Sequence, residues 1–356
     1  MAIMLVLCLF GITLTSCTDS AKSTGELSSG EDITGNYDNY DDSGSGMSDG
    51  ISSYDFFLRN EEGNYIYGEI ILPEYAGSGT VSGESSKAGA IPLVFMAHGF
   101  RGTLNSGGGR ELAERLAKAG IAAVRIDFNP YIITEKEASR ISGLISSSEH
   151  AANVLYDTEN RPEYERTDIY TLKDMCDYSC LAIDYALQNY NIDRERVGIY
   201  GRSMGGRLAM IMANENTGDY DFKAMTLIAP AGDAGAMVYY MGGSKRWNEM
   251  KKEAAENGYV EKQTLLLEPE WFEQFEAYDP SETGSKFGDK PVLLYYNTKD
   301  NVVRPKTSLK CAKGYSNAEI HKVTTDDGHG YEMSYEKSDL KEKIMTRTVE
   351  FFKDTL

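Results

Sequence analysis

The segment at 196–206, RVGIYGRSMGG, places Ser203 two residues from Gly201 on one side and Gly205 on the other. Apolar Val197, Ile199 and Tyr200 lead into it and the helix-forming run Leu208 to Ala213 follows, so the spacing predicts a strand, a sharp turn and a helix. A serine on such a turn holds strained dihedrals, and nothing bulky can stand two residues away from it. The turn exposes the hydroxyl, aims the helix N-terminus at it, and leaves the Met204 backbone N–H free to bind an oxyanion. The chemistry on offer is nucleophilic attack by Ser203; the competing reading is a tight turn whose serine caps the helix.

A serine nucleophile needs a base, and the base needs an orienting carboxylate. The chain has four histidines. His98, in MAHGFRG, lies where a turn brings backbone N–H groups near the nucleophile, and it reads as shaping that turn. His150 falls in an irregular polar stretch and reads as a surface residue, and His321 sits inside an expected strand. His329, in TDDGHGY with glycine on either side, sits in a flexible loop and is the better base. For the acid, YYNTKDNVVRP offers Asp300 just past a strand end, while Asp326 and Asp327, so close to His329 in sequence, read as turn formers.

These groups must be delivered by a scaffold, and the rest of the chain supplies one. Residues 52–72 alternate like a hairpin about EEGN. A continuous apolar strand, read as buried on both faces, is expected at 91–97, the next strand at 121–128, and further buried strands at 224–229, 291–296 and 319–323. Helices are expected at GRELAERLAKAG (109–120), in a segment around Cys176, and at LKEKIMTRTVEFFK. Cys176 and Cys180 share a stripe with Leu172, Ile183 and Leu187 at helical spacing, so they read as core residues, not ligands. Alternating strands and helices imply an α/β fold with a mostly parallel central sheet and helices on both faces, whose reacting groups gather at the carboxyl ends of the strands.

The strand ending in HGF, the GRSMGG elbow, the KDNVV acid loop and the GHGY histidine loop, in this order, resemble the α/β-hydrolase superfamily over residues 52–356. Within it, AHGFRG and GRSMGG are most similar to bacterial carboxylesterases of the cinnamoyl or feruloyl esterase group and to serine-aminopeptidase-like proteins. The resemblance implies Ser203 as nucleophile, His329 as base, Asp300 as its orienter, and the backbone N–H groups of Phe100 and Met204 as the oxyanion hole. It implies hydrolysis of carboxylic esters through an acyl-enzyme, on small or carbohydrate-linked acyl or aryl esters, without cofactor or metal. An exopeptidase of the same fold and an anchored, non-catalytic binding protein are the alternatives. Two segments depart from the pattern: 129–170 lacks the usual GxGxS turn, and 231–290 is longer than a normal crossover and reads as a small lid. That lid holds Tyr239, Tyr240, Trp247, Trp271, Phe272 and Phe275 as an aromatic pocket or as its own packing; its Glu268, Glu270 and Glu273 are the acids an exopeptidase would need for a substrate amine. SGGGR at 106–110 could cradle phosphate, but no fingerprint lysine follows.

The formal charge of −19 argues against a nucleic-acid partner. Residues 1–16 are mostly apolar and too short to span a bilayer, as in a signal peptide. They run into LTSC, which resembles a bacterial lipobox and implies lipid on Cys17 and an extracytoplasmic location at the membrane. Residues 17–51 then read as a disordered tether: from 18 to 50, eight acidic residues face one lysine. Such a tether holds the folded part about 30 Å from the bilayer.

Overall fold

The computed structural model describes residues 50–59, 65–74, 89–128, 171–262 and 265–356. The expected signal peptide, Cys17, nearly all of the tether, His150 and the segment 129–170 lie outside the described residues.

β1 (Ile51–Arg59) pairs antiparallel with β2 (Tyr65–Pro73), which joins β4 (Ala122–Ile126) antiparallel. From there every pairing is parallel: β4 with β3 (Ile91–Ala97), β3 with β5 (Ile192–Arg202), β5 with β6 (Ala224–Ile228), β6 with β9 (Val292–Asn297), and β9 with β10 (Ala318–Val323). The sheet therefore runs β1-β2-β4-β3-β5-β6-β9-β10. Its central strands are apolar on both faces because both faces are covered. Leu93, Phe95 and Ala97 of β3 point into one core with α2 (Leu172–Asn189) and α3 (Met204–Glu215). Val94 and Met96 point into the other, with α1 (Gly109–Lys118) and α8 (Asp339–Thr355). Each of these side chains is buried, so the alternation that normally marks a half-exposed strand is lost.

Helix boundaries follow local chemistry. Thr171 caps α2 with a capping box, its side chain accepting from the Asp174 N–H while Asp174 reaches back. Ser338 caps α8 through the N–H groups of Leu340 and Lys341. Cys176 and Cys180 lie on the buried face of α2 and Cys311 is buried as well, and among the described residues none of the three is in a disulfide.

The long segment between β6 and β9 carries α4 (Ala234–Tyr240), α5 (Ser244–Asn257), the two-stranded β7 (Val260–Lys262) and β8 (Leu265–Leu267), and α6 (Pro269–Ala277). Trp247, Trp271, Phe272 and Phe275 are buried in one edge-to-face cluster, with Trp247 and Phe272 centroids 4.9 Å apart. They pack the segment onto the body. Tyr239 and Tyr240 behave differently and are 40% and 38% exposed.

The segment is held to the helix behind Ser203 by Arg207 of α3. Its fully buried guanidinium donates to the carbonyls of Phe275 (3.1 Å), Tyr278 and Ala231 (3.4 Å), and lies 4.7 Å over the Phe275 ring. Burial pulls its pKa down to about 10, with Asp279 opposing that shift. Its two terminal nitrogens are met by carbonyl oxygens and not by a carboxylate, while its buried Nε has no hydrogen-bond partner among the described residues.

Candidate active site

Register places the carboxyl ends of the strands side by side. Ala97 pairs with Gly201, Arg202 with Ile228, Ile228 with Tyr295, and Asn297 with Val323. The loops bearing His98 to Phe100, Ser203, Asp300 and His329 thus leave the sheet along one edge.

Ser203 stands between β5 and α3 with φ 56° and ψ −117°, a conformation a non-glycine residue rarely holds. Its backbone is fixed on both sides: its N–H donates to Ile228 O (2.9 Å) and its carbonyl accepts from Ala231 N (2.9 Å). The side chain makes no cap hydrogen bond, so the helix-cap reading of this serine fails and the hydroxyl is left for other work. A Cβ at Gly201 would stand 2.2 Å from Gly205 O, and one at Gly205 would stand 2.2 Å from Ala97 O. Both contacts are with backbone that cannot yield, which is why the pattern demands glycine at both places.

Asp300 is buried, and its carboxylate is divided between two tasks. Oδ1 accepts from the backbone N–H groups of Val302 and Val303, each at 2.9 Å. Oδ2 accepts from His329 Nδ1 at 2.7 Å. The first pair of bonds fixes the carboxylate; the second fixes the imidazole with its proton on Nδ1 and leaves Nε2 as an acceptor. Ser203 and His329 line one pocket of about 190 Å³, together with His98, Gly99 and Phe100. Among the described residues no direct hydrogen bond joins the Ser203 hydroxyl to the imidazole, a contact that commonly tightens only around substrate. The structure therefore brings together all three residues expected from the sequence.

The two oxyanion candidates also meet here. Met204 is the first residue of α3, so its N–H has no intrahelical acceptor. Phe100 lines the pocket, and a Cβ on neighbouring Gly99 would lie 3.2 Å from Ser203 Cβ, which measures how closely that loop abuts the serine. His98 holds the loop: Nδ1 donates to Gly99 O (2.8 Å) and Nε2 accepts from Phe128 N–H (2.9 Å). With both nitrogens engaged by backbone it shapes the turn, as the sequence suggested. His321 pairs with Glu319 on the edge strand β10, away from this pocket.

Three contacts were not foreseen. Arg202, directly before the serine, donates through Nη2 to His329 O (2.6 Å) and Gly330 O (3.1 Å), tying the histidine loop to the elbow. Its guanidinium lies where a Cβ on Gly107 would fall 1.7 Å from Nη1, so this glycine of SGGGR makes room for an arginine of the same chain. Buried Asn297 bridges the acid and histidine loops, donating to Thr325 O (3.0 Å) and Gly328 O (2.7 Å) and accepting from Lys299 N and Thr325 N. The histidine loop is consequently a held 3₁₀ turn over Gly328–Gly330, not the loose segment its glycines suggest. Asp327 accepts from Glu332 N (2.6 Å) and Asp326 pairs with Lys299, which leaves both as turn residues. The only sequence signals for these contacts are an arginine abutting the serine and an asparagine closing a strand, and neither names its partner.

A mostly parallel sheet with a serine on a strand-to-helix elbow, and a later histidine in the same pocket held by an aspartate behind it, defines a serine hydrolase of the α/β-hydrolase fold. Residues 168–356, more than half of the chain and all three of these side chains among them, match the prolyl oligopeptidase family, and the chain belongs to that family. No curated protein matches it in sequence. Among solved structures it is similar to Est1E from Butyrivibrio proteoclasticus, at 17% identity and a TM-score of 0.56 over 85% of this chain and 98% of that one. It is also similar to the acetyl xylan esterase from Paenibacillus sp. R4, at 20% identity and 0.54 over 85% of each chain. Acetyl xylan esterase 1 from Thermoanaerobacterium sp. JW/SL YS485 follows at 14% identity and 0.52, over 88% of this chain and 86% of that one. At these identities the likeness is one of fold.

Proposed function

We propose that the protein is a serine esterase that cleaves carboxylic esters, on small or carbohydrate-linked acyl and aryl groups, through an acyl-enzyme. The reading is carried by His329, held by Asp300 at 2.7 Å, lining one pocket with an uncapped, strained Ser203. In the proposed reaction His329 Nε2 takes the Ser203 proton as Oγ bonds to the acyl carbon, and the N–H groups of Phe100 and Met204 receive the oxyanion. Collapse returns that proton to the leaving alcohol, and water repeats the sequence to free the acid.

Because the prolyl oligopeptidase family includes peptidases by name, the ester preference needs its own support. Among the described residues lining the pocket there is no carboxylate to hold a substrate amine. Glu268, Glu270 and Glu273 are exposed on the side of α6 opposite buried Trp271, Phe272 and Phe275. Est1E is a structure with ferulic acid bound, and two other neighbours are named acetyl xylan esterases, which supports the same acyl classes here. A panel of p-nitrophenyl acyl esters, feruloyl esters, acetylated xylan and aminoacyl anilides tests this. The esters should turn over faster by at least about tenfold, and faster cleavage of the anilides would reverse the ranking.

Placement at the membrane is a second part of the proposal. LTSC before a polar, acidic stretch supports lipid on Cys17, and an acidic tether is repelled by anionic headgroups, which keeps the domain standing off the surface. One acyl chain binds a bilayer marginally, so stable anchoring calls for more than one. Cys17→Ala should move the protein out of the membrane fraction with its specific activity retained. A variant that fractionates and is processed like the parent would exclude the anchor.

A further inference from the structure

Arg304 follows Asp300 by four residues, directly after the two valines whose N–H groups fix the acid, and it caps the start of α7 (Pro305–Ala312). Its guanidinium lies 4.0 Å over the ring of Tyr239 in α4. The next residue along α4, Tyr240, sets its ring edge-on to Phe100 at 5.9 Å, and Phe100 lines the Ser203 pocket. The last turn of α4 thus reaches from the acid loop to the oxyanion loop. Its two tyrosine rings stay exposed, as does Tyr259 further along the insertion, while Trp247, Trp271, Phe272 and Phe275 are buried.

Among the described residues one other arginine also lies over a tyrosine, Arg194 over Tyr220 at 5.2 Å, but several arginines here meet carboxylates. Asp and Glu outnumber Lys and Arg by 55 to 36, and Arg110, Arg115, Arg196 and Arg347 all pair with carboxylates. Among the described residues Arg304 has neither a carboxylate nor a carbonyl partner, and only the tyrosine face holds it. A guanidinium held over a ring by cation–π attraction keeps its N–H groups available for the bidentate fork that matches a carboxylate. In a protein of formal charge −19, an anionic substrate is repelled unless a local cation offsets the field.

We propose that Arg304, over Tyr239, is a specificity subsite for a carboxylate carried by the ester substrate, on the far side of Tyr240 and Phe100 from the Ser203 pocket. This rests on the reading of Ser203 as the nucleophile of an esterase. The shared chemistry is a carboxylate on either side of the ester, and two matched pairs separate the sides. With 4-acetoxybenzoate against its methyl ester the charge is on the alcohol side. With mono-4-nitrophenyl glutarate against 4-nitrophenyl valerate it is on the acyl side.

In Arg304→Gln, kcat/KM for the charged member of one pair should fall about tenfold more than for its neutral partner, the size of one charge-assisted bidentate contact. Equal factors within both pairs would overturn the subsite. Binding separates this from the esterase reading. Ser203→Ala should bind 4-acetamidobenzoate or glutaranilate, the corresponding amides, about tenfold more tightly than the uncharged amides by calorimetry. That preference should be lost on adding Arg304→Gln. Absence of the preference in Ser203→Ala overturns the subsite even where esters are hydrolysed. The preference together with no turnover of any ester by the parent leaves the subsite standing and sinks the esterase.

Discussion

Ser203→Ala is expected to lower ester hydrolysis by about 10⁴-fold or more while leaving the protein folded, since removing one member of such a unit removes nearly all of its effect. The hydroxyl makes no cap bond, so its loss leaves α3 without a missing partner. Alanine inherits a strained φ of 56° that serine already tolerates, because both neighbouring backbone bonds hold it there. Turnover of p-nitrophenyl acetate, thermal melting and labelling by a fluorophosphonate probe check the three parts. Parent-like turnover in the variant, or failure of the probe to label Ser203 in the folded parent, would favour an anchored binding protein over an enzyme.

Asp300→Asn should come close to the same loss by a different route. The amide keeps its oxygen for the N–H groups of Val302 and Val303, so the loop has no reason to move. Its NH₂ then faces His329 Nδ1 where a carboxylate accepted at 2.7 Å. Nδ1 must become the acceptor, the proton shifts to Nε2, and the nitrogen that should take the serine proton is blocked. A wrong tautomer of this kind lowers kcat by about 10⁴-fold where it has been isolated. Kinetics with kcat and KM resolved, beside a melting curve, test it; a kcat within tenfold of the parent would remove Asp300 from the role. Asp326→Asn is the control, since that carboxylate is exposed and paired with Lys299, and it should change kcat by less than about twofold, as for most surface substitutions.

The sequence by itself pointed to the scaffold and to the three candidate site residues that the structure brings together. The continuous apolar run at β3 reads as a strand buried on both faces, with further buried strands at β6 and β9, and glycines two residues either side of Ser203 are required by contacts as close as 2.2 Å to fixed backbone. Asp300 and His329 were readable because each lies just past an expected strand in a chain order that leaves few rivals. What only the tertiary structure decided concerns contacts between segments far apart in sequence. Arg202 reaches His329 O across 127 positions, Arg207 reaches Tyr278 O across 71, and Asn297 joins two loops across 28. All three bond to backbone carbonyls, which every residue carries, so no pattern of residue types could identify the partner. The same holds for the aromatic residues of 231–290: their composition suited a pocket and a packed core equally, and the register of α4, α5 and α6 against α3 decided which rings were buried. It left Tyr239 and Tyr240 outside because they end a helix short enough to reach between the acid and oxyanion loops without packing beneath either.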